Sequence, residues 1–386
     1  MLNTLFFICL YCIVHTYFLY PLVMLLLGKL FGGKSKTSDA KYEPTVEIIF
    51  AAHNEERVLV EKLKRSLDTQ YNGEKLSIRI GSDCSTDRTN EIIEDFAKKY
   101  PNIHFTLYTE RQGKASIINQ LVQQSKADLI ICTDANILFT PQTIPHLVAP
   151  MADKYVGING GKIGYPTVNK QGISLQESVY LKIENNIKQA ESDLFAKAMG
   201  VEGGCYIIRR KLFPEIPPLF FMEDFFVSLS LMKDHFKVLF TAKAECFEDV
   251  SVQSTEEYKR KVRISIGNFQ NLAYFRKYLF TRFIGMGFLF LSHKVLRWLT
   301  PFFLLLLLPL STILAQYGIG YALFAGVYML FISLGMFGIL FSQNKRAGLL
   351  KYPGHFLHMN LALLEGFTMF LKGVTSNAWE PTKRHQ

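Results

Sequence analysis

Two stretches toward the carboxyl end of this chain, Leu299 to Ala315 and Ile319 to Phe341, contain no charged residue, and Leu2 to Leu30 contains only Lys29. Each is long enough to cross the roughly 30 Å hydrocarbon layer of a bilayer as a helix. A backbone in that layer must satisfy its own hydrogen bonds, so these runs are confined to helices, and the fold question narrows to what lies between them. A further apolar run, Tyr352 to Leu371, is interrupted by His355, His358, Asn360 and Glu365, and either a crossing or a re-entrant segment is expected there. No basic residue precedes the first run and no small-residue cleavage site follows it, so a retained anchor is expected rather than a signal peptide.

Lys29 lies at the end of the Leu2 to Leu30 run and Lys34, Lys36 and Lys41 follow it, while Lys294 and Arg297 precede Leu299 to Ala315. The positive-inside rule then places the long central segment in the cytoplasm of a multi-pass protein of an inner or plasma membrane. Much of the net charge of +10 lies beside the apolar runs, where anionic headgroups account for it, so nucleic acid is not expected as a partner. Cys9 and Cys12 have CxxC spacing inside the first run and read as small apolar residues there. Cys84, Cys132, Cys205 and Cys246 are too scattered for a ligand cluster or a disulfide framework, which fits a reducing compartment. The expected organisation is a membrane helix at 1–31, a cytoplasmic domain at 42–273, an amphipathic interfacial segment at 274–298, rich in Arg, Lys and aromatics, and a membrane region at 299–386 with two or three spans.

Between Thr45 and Asp134 the pattern alternates. Strands are expected at Val46 to Ala51, Leu76 to Ser82, Ile103 to Tyr108 and Leu129 to Thr133, with helices at Glu55 to Gln70, Thr86 to Tyr100 and Lys114 to Ser125. Such alternation specifies an α/β fold, a mostly parallel sheet with helices on both faces. Ligands of such sheets sit beyond the carboxyl ends of the strands, where His53, Glu55, Asp83 and Asp134 fall. The stretch from Tyr155 to Ile208 is less regular, with a helix expected at Leu175 to Met199 and a strand at Tyr206 to Ile208. Gly157 to Ile163 has neither the spacing nor the Ser or Thr of a phosphate loop, and no G-x-G-x-x-G follows the first strand, which counts against a dinucleotide dehydrogenase.

Glu223-Asp224 lies in Phe220-Phe-Met-Glu-Asp-Phe-Phe, where desolvation and mutual repulsion should raise a carboxyl toward the range of a general base. The same pair also suits a helix amino terminus. In order, PTVEIIFAAHNEE, SDCSTDRT, RQGKASIIN, TDAN, GGCYIIRR, MED and KRKVRISIGN resemble the motif series of the membrane-embedded family-2 inverting glycosyltransferases of GT-A fold, similar in layout to synthases of cellulose, hyaluronan and poly-N-acetylglucosamine. The resemblance covers roughly Pro44 to Asn268.

It implies a Rossmann-like GT-A sheet flanked by transmembrane helices. A nucleotide-sugar donor, UDP-linked, would be contacted by Ala51, His53, Glu55, Asp83 and Lys114, and its diphosphate by Arg260 and Arg263. Mg²⁺ or Mn²⁺ would be held at Asp134 and Asn136, with Glu223 at the acceptor site and Asp224 as catalytic base. A glycan or lipid-linked acceptor, the bilayer and accessory membrane proteins are the possible partners. The pattern departs from the family in three places. Asn136 stands for the second Asp of Asp-x-Asp, Met222 for the Thr before Glu-Asp, and Ile264 for the Trp of Gln-x-x-Arg-Trp, a ring on which an acceptor sugar would stack. The last keeps single addition to a polyprenyl-phosphate or other lipid open beside polymer synthesis. An inactive nucleotide-binding scaffold is a third reading, and the retention of Asp83, Asp134, Asp224 and Arg263 argues against it. The terminal Trp379-Glu-Pro-Thr-Lys-Arg384 also resembles the family, and Glu365 within an apolar run suggests an aqueous path or an acceptor-lipid contact.

Overall fold

The computed structural model describes residues 1–33, 42–164, 173–248, 254–340 and 351–374; Lys34, Lys36, Lys41 and the Trp379 to Arg384 pattern lie outside the described residues. The chain divides into two compact units, one formed by Met1–Val23 with Gln253–Gly373 and the other built on Met24–Val252. Residues 254–273, read from sequence as the end of the cytoplasmic domain, therefore belong with the apolar helices.

Among the described residues the second unit holds an eight-stranded sheet: β1 (Val46–Ala52), β2 (Leu76–Asp83), β3 (Ile103–Tyr108), β4 (Leu129–Thr133), β5 (Ile137–Phe139), β6 (Val156–Gly164), β7 (Cys205–Arg209) and β8 (Lys237–Glu248), in the order β3-β2-β1-β4-β7-β6-β8-β5. The β3-β2-β1-β4 half is parallel throughout, as the alternation predicts. All seven residues of β1 are buried, because a central strand covered on both faces reads as a continuous run and not as an alternation. Its Glu47 is kept there by Arg79 of β2 at 3.1 Å. Helices Glu56–Leu67, Thr89–Lys99 and Lys114–Gln124 form the crossovers, each presenting leucines, isoleucines or valines to the sheet.

The other half mixes directions. β7 runs antiparallel to β4 and β6, β5 antiparallel to β8, and β6 parallel to β8. β6 escaped the sequence reading because its glycines depress strand propensity. They are there for close approach: a Cβ on Gly160 would lie 2.9 Å from the Val201 side chain, and one on Gly161 would collide with the Ala244 carbonyl. Direction then decides what reaches the functional edge. Parallel β1, β2 and β4 deliver their carboxyl ends to it. Antiparallel β7 delivers its amino end, since Cys205 is registered on Thr133, and β8 brings Glu248 opposite Ile137.

In the first unit, Phe6 and Cys9 pack with Leu307, Leu310 and Leu314. Among the described residues three helices, Leu2–Phe31, Thr300–Tyr317 and Ile319–Leu340, are long and apolar enough to cross a membrane. The interrupted run forms the helix Lys351–Lys372, which packs on helix Ser254–Phe275: Phe269 meets Phe367 at 4.8 Å, and Tyr258 donates its hydroxyl to Glu365 at 2.7 Å. Glu365 is thus satisfied by a phenol within the unit. The segment expected to lie in the interface is helical but broken at Ile284 and Gly285, with Phe280 and Ile284 exposed to 83% and 98%.

Helix Lys114–Gln124 reaches β2 so closely that a Cβ on Gly81 would collide with the Ile117 methyl and lie 3.3 Å from Leu121. Gly81→Ala should therefore destabilise the protein by about 1–3 kcal/mol through overpacking. The midpoint of thermal unfolding in detergent should fall accordingly; an unchanged midpoint would show that the helix yields freely.

Candidate active site

The turns after β1 and β2 are tied to each other. Asn54 and Cys84 both adopt positive φ, and the Asn54 side chain accepts from the Thr86 amide at 2.8 Å. Asp87 accepts from Thr89 N at 2.9 Å and from Glu56 N at 3.1 Å, so one carboxylate serves the amino ends of two helices. Glu55 is buried, and its amide donates to the Thr89 hydroxyl at 2.8 Å. Ala51 is buried on β1, paired with Gly81.

Asp83 is fully buried. Its carboxylate accepts from Arg111 Nε at 3.1 Å, Gln112 N at 2.6 Å and Gly113 N at 3.2 Å. Arg111 also donates to His53 Nε2 at 2.6 Å; the guanidinium has only donors, so His53 carries its proton on Nδ1 and gives it to the Asp83 carbonyl at 2.7 Å. Arg111 escaped the sequence reading, although it lies three residues before Lys114 in the same RQGK element.

That loop sets Lys114 as the first residue of its helix, after Gly113 at φ 79°. The Lys114 ammonium lies 2.7 Å from Asp134 and 2.5 Å from Glu223. Burial alone would lower its pKa, but the two carboxylates outweigh burial and raise it, so the group stays charged. Asp83, by way of the loop it holds, and Asp134, Glu223 and Asp224 thus belong to one contiguous array.

Glu223 and Asp224 open helix Glu223–Lys233, where the helix dipole suits them. The Asp224 carboxyl is nonetheless pushed up to about 7, first by burial and then by the charge of Glu223, against the lowering effects of Lys114 and of the Phe225 amide. Gly203 stands against it: a Cβ there would lie 3.1 Å from Asp224 Oδ2, so only glycine leaves that face of the carboxylate open.

Asp134 and Asn136 occupy the tight turn joining β4 to β5, closed by Ile137 N donating to the Asp134 carbonyl at 3.2 Å. Asn136 donates its amide nitrogen to Glu248 at 2.9 Å, a partner 112 residues away that sequence did not suggest. The turn offers hard oxygen donors, and the Lys114 ammonium already drawn to Asp134 shows that the place attracts positive charge. Among the described residues no group of three or more His, Cys, Asp and Glu side chains would hold a metal alone. Mg²⁺ is commonly bound through one or two carboxylates together with substrate phosphates, and Asp134 is a carboxylate of that kind. Arg260 and Arg263 lie on helix Ser254–Phe275 of the other unit, where Arg260 pairs with Glu257 at 3.2 Å.

Residues 47–216 match the family model described as Glycosyl transferase family 2. This segment is a family-2 glycosyltransferase domain. An N-acetylglucosaminyltransferase of Neorhizobium galegae is 26% identical over 46% of this chain and 41% of its own length. A poly-beta-1,6-N-acetyl-D-glucosamine synthase of Staphylococcus epidermidis is 24% identical over 59% of this chain and 55% of its own. The chain thus spans about half the length of these relatives. Among solved structures, the mannosyltransferase PcManGT of Pyrobaculum calidifontis, in complex with GDP-Man and Mn²⁺, matches with a TM-score of 0.70 over 96% of this chain and 99% of that one, at 19% identity. The glycosyltransferase domain accordingly shares a GT-A-like fold, with the mixed sheet described above.

A carboxyl raised to about 7 binds its proton more tightly folded than unfolded, where its pKa is about 3.9. The stability this contributes is complete below the unfolded value and is lost as pH rises through about 7. Asp224→Asn, which cannot ionise, should match wild type in unfolding temperature near the unfolded value and exceed it increasingly up to about pH 7, the gap then levelling off. A gap independent of pH would refute the raised carboxyl.

Proposed function

We propose that the chain is a membrane-bound, inverting transferase that moves a sugar from a nucleoside diphosphate sugar, UDP-linked, to a hydroxyl of a glycan or lipid-linked acceptor. The observation that carries this reading is the shared array in which Lys114 joins Asp134 to Glu223, beside a carboxyl tuned toward neutrality. Mg²⁺ or Mn²⁺ at Asp134 and Asn136 would supply charge neutralisation to the leaving diphosphate. Asp83 holds the Arg111 to Lys114 loop that would border the nucleotide, with His53, Glu55 and Ala51 beside it on the first strand and its turn. The motif in which Arg260 and Arg263 stand supports a diphosphate-binding role for both.

In the reaction, Asp224 takes the proton of the acceptor hydroxyl. The acceptor oxygen bonds to the anomeric carbon from the face opposite the diphosphate, the bond from that carbon to the diphosphate oxygen breaks, and the nucleoside diphosphate leaves. A single displacement inverts the configuration. Glu223 keeps the base proton-hungry, and Lys114 keeps Glu223 and Asp134 apart from each other's charge. The apolar helices and the lysines and arginines flanking them support a bilayer location with the transferase domain on the cytoplasmic side. Ile264 in place of the stacking Trp favours short products over long polymer, which product length after incubation with labelled donor would decide.

In detergent, release of UDP from UDP-glucose, UDP-N-acetylglucosamine or UDP-glucuronate is expected with one donor. Asp224→Asn should lower kcat by about 10²–10⁴ without unfolding. Near-normal turnover in that variant would defeat the assignment of the base, and retained activity in Asp134→Ala would defeat the metal role.

The rate should rise with pH through about 7 as Asp224 ionises. Glu223→Gln should move the rising limb to lower pH but short of the ordinary carboxylate range, because burial is the larger cause. A limb that stays in place would detach the pH dependence from this pair.

A further inference from the structure

Helix Glu56–Leu67 carries one residue that its apolar face does not explain. Lys62 is fully buried, on the same face as Leu59 and Leu63. Its ammonium donates to Thr133 Oγ1 at 2.9 Å and to the Ile137 carbonyl at 2.6 Å, and lies 4.1 Å from the centre of the Phe139 ring. Neither hydrogen-bond acceptor is a carboxylate. A buried cation held this way is costly, and an apolar side chain of similar length would serve packing as well or better. Burial depresses the Lys62 ammonium to about 7.

The two acceptors are the last residue of β4 and the first of β5. Between them lie only Asp134, Ala135 and Asn136. The Thr133 hydroxyl that accepts from Lys62 donates in turn to the Gly204 carbonyl at 2.8 Å, one residue from the Gly203 that borders Asp224. One chain of hydrogen bonds therefore runs from Lys62 through the base of the Asp134–Asn136 turn into the loop beside the catalytic carboxyl.

We propose that Lys62 is a positioning residue: from beneath the turn, its buried ammonium clamps Thr133 to Ile137 and so fixes how the Asp134 and Asn136 oxygens meet a divalent cation held with the donor diphosphate. This rests on the assignment of the metal to that turn. With Asn136 in place of a second carboxylate, the turn has less charge with which to organise itself around a cation, so its shape has to come from the protein. Partners of this kind behind metal ligands commonly change metal affinity by about 10–100-fold.

The test uses the full chain in detergent, with Mn²⁺ as probe, its free EPR signal titrated in the presence of saturating UDP. Lys62→Met should bind Mn²⁺ at least about tenfold more weakly than wild type, while UDP binding without metal and the unfolding temperature stay near wild type. Mn²⁺ affinity within about twofold of wild type would overturn the proposal, as would an equal loss of metal-free UDP binding, which marks general damage. If Lys62→Met does not fold, Thr133→Val decides: it removes one of the two acceptors and should weaken Mn²⁺ selectively, whereas Thr133→Ser should not. Wild-type protein that binds no Mn²⁺ with UDP would remove the metal assignment itself, an outcome distinct from a Lys62→Met variant that binds like wild type.

Discussion

One ammonium is shared by two carboxylates from distant parts of the chain. Lys114 meets Asp134, at the exit of a parallel strand, and Glu223, at the start of a helix nearly ninety residues further on. Without that cation the acidic groups at the edge would repel one another, and Asp224, already pushed up by burial and by Glu223, would lose a nearby charge that moderates it. Lys114 is itself placed by Asp83, whose buried carboxylate gathers the Arg111 side chain and the Gln112 and Gly113 amides. The charge balance of the site is thus built from inside the fold before any substrate arrives.

The mixed sheet makes this convergence available. Parallel strands all exit at one edge, which brings Asp83 and Asp134 together, but a wholly parallel sheet could not return the Gly203–Gly204 loop to that edge by entering a strand there. Antiparallel β7 does so, starting opposite Thr133. β8, also running to that edge, brings Glu248 to Asn136. The substitution of Asn for Asp in the turn thereby acquires a physical setting: an amide can donate to Glu248 where a second carboxylate would be repelled.

The apolar helices follow a different logic. Leu2–Phe31, Thr300–Tyr317 and Ile319–Leu340 leave many large side chains outward, among them Phe18, Val327 and Leu340 at 68%, 67% and 77% exposure, as a bilayer would demand. Helix Lys351–Lys372 differs, because its Glu365 is bonded to Tyr258 and its aromatic Phe367 packs on Phe269. That pairing explains why helix Ser254–Phe275 joins this unit although its sequence motif reads as part of the transferase.

The parallel half of the sheet, its crossover helices, the apolar helices and the candidacy of Asp83, Asp134, Glu223, Asp224 and Lys114 as site residues were legible in the chain, because hydrophobic period and the run of acidic residues at strand exits are local properties. The glycine-rich β6, the reversal at β7, the pairing of Asn136 with Glu248, the Arg111 link from His53 to Asp83, and the burial of Lys62 beneath the turn were not. Each depends on contacts between residues tens of positions apart, and a sequence records spacing along the chain but not the strand direction and register that convert spacing into distance.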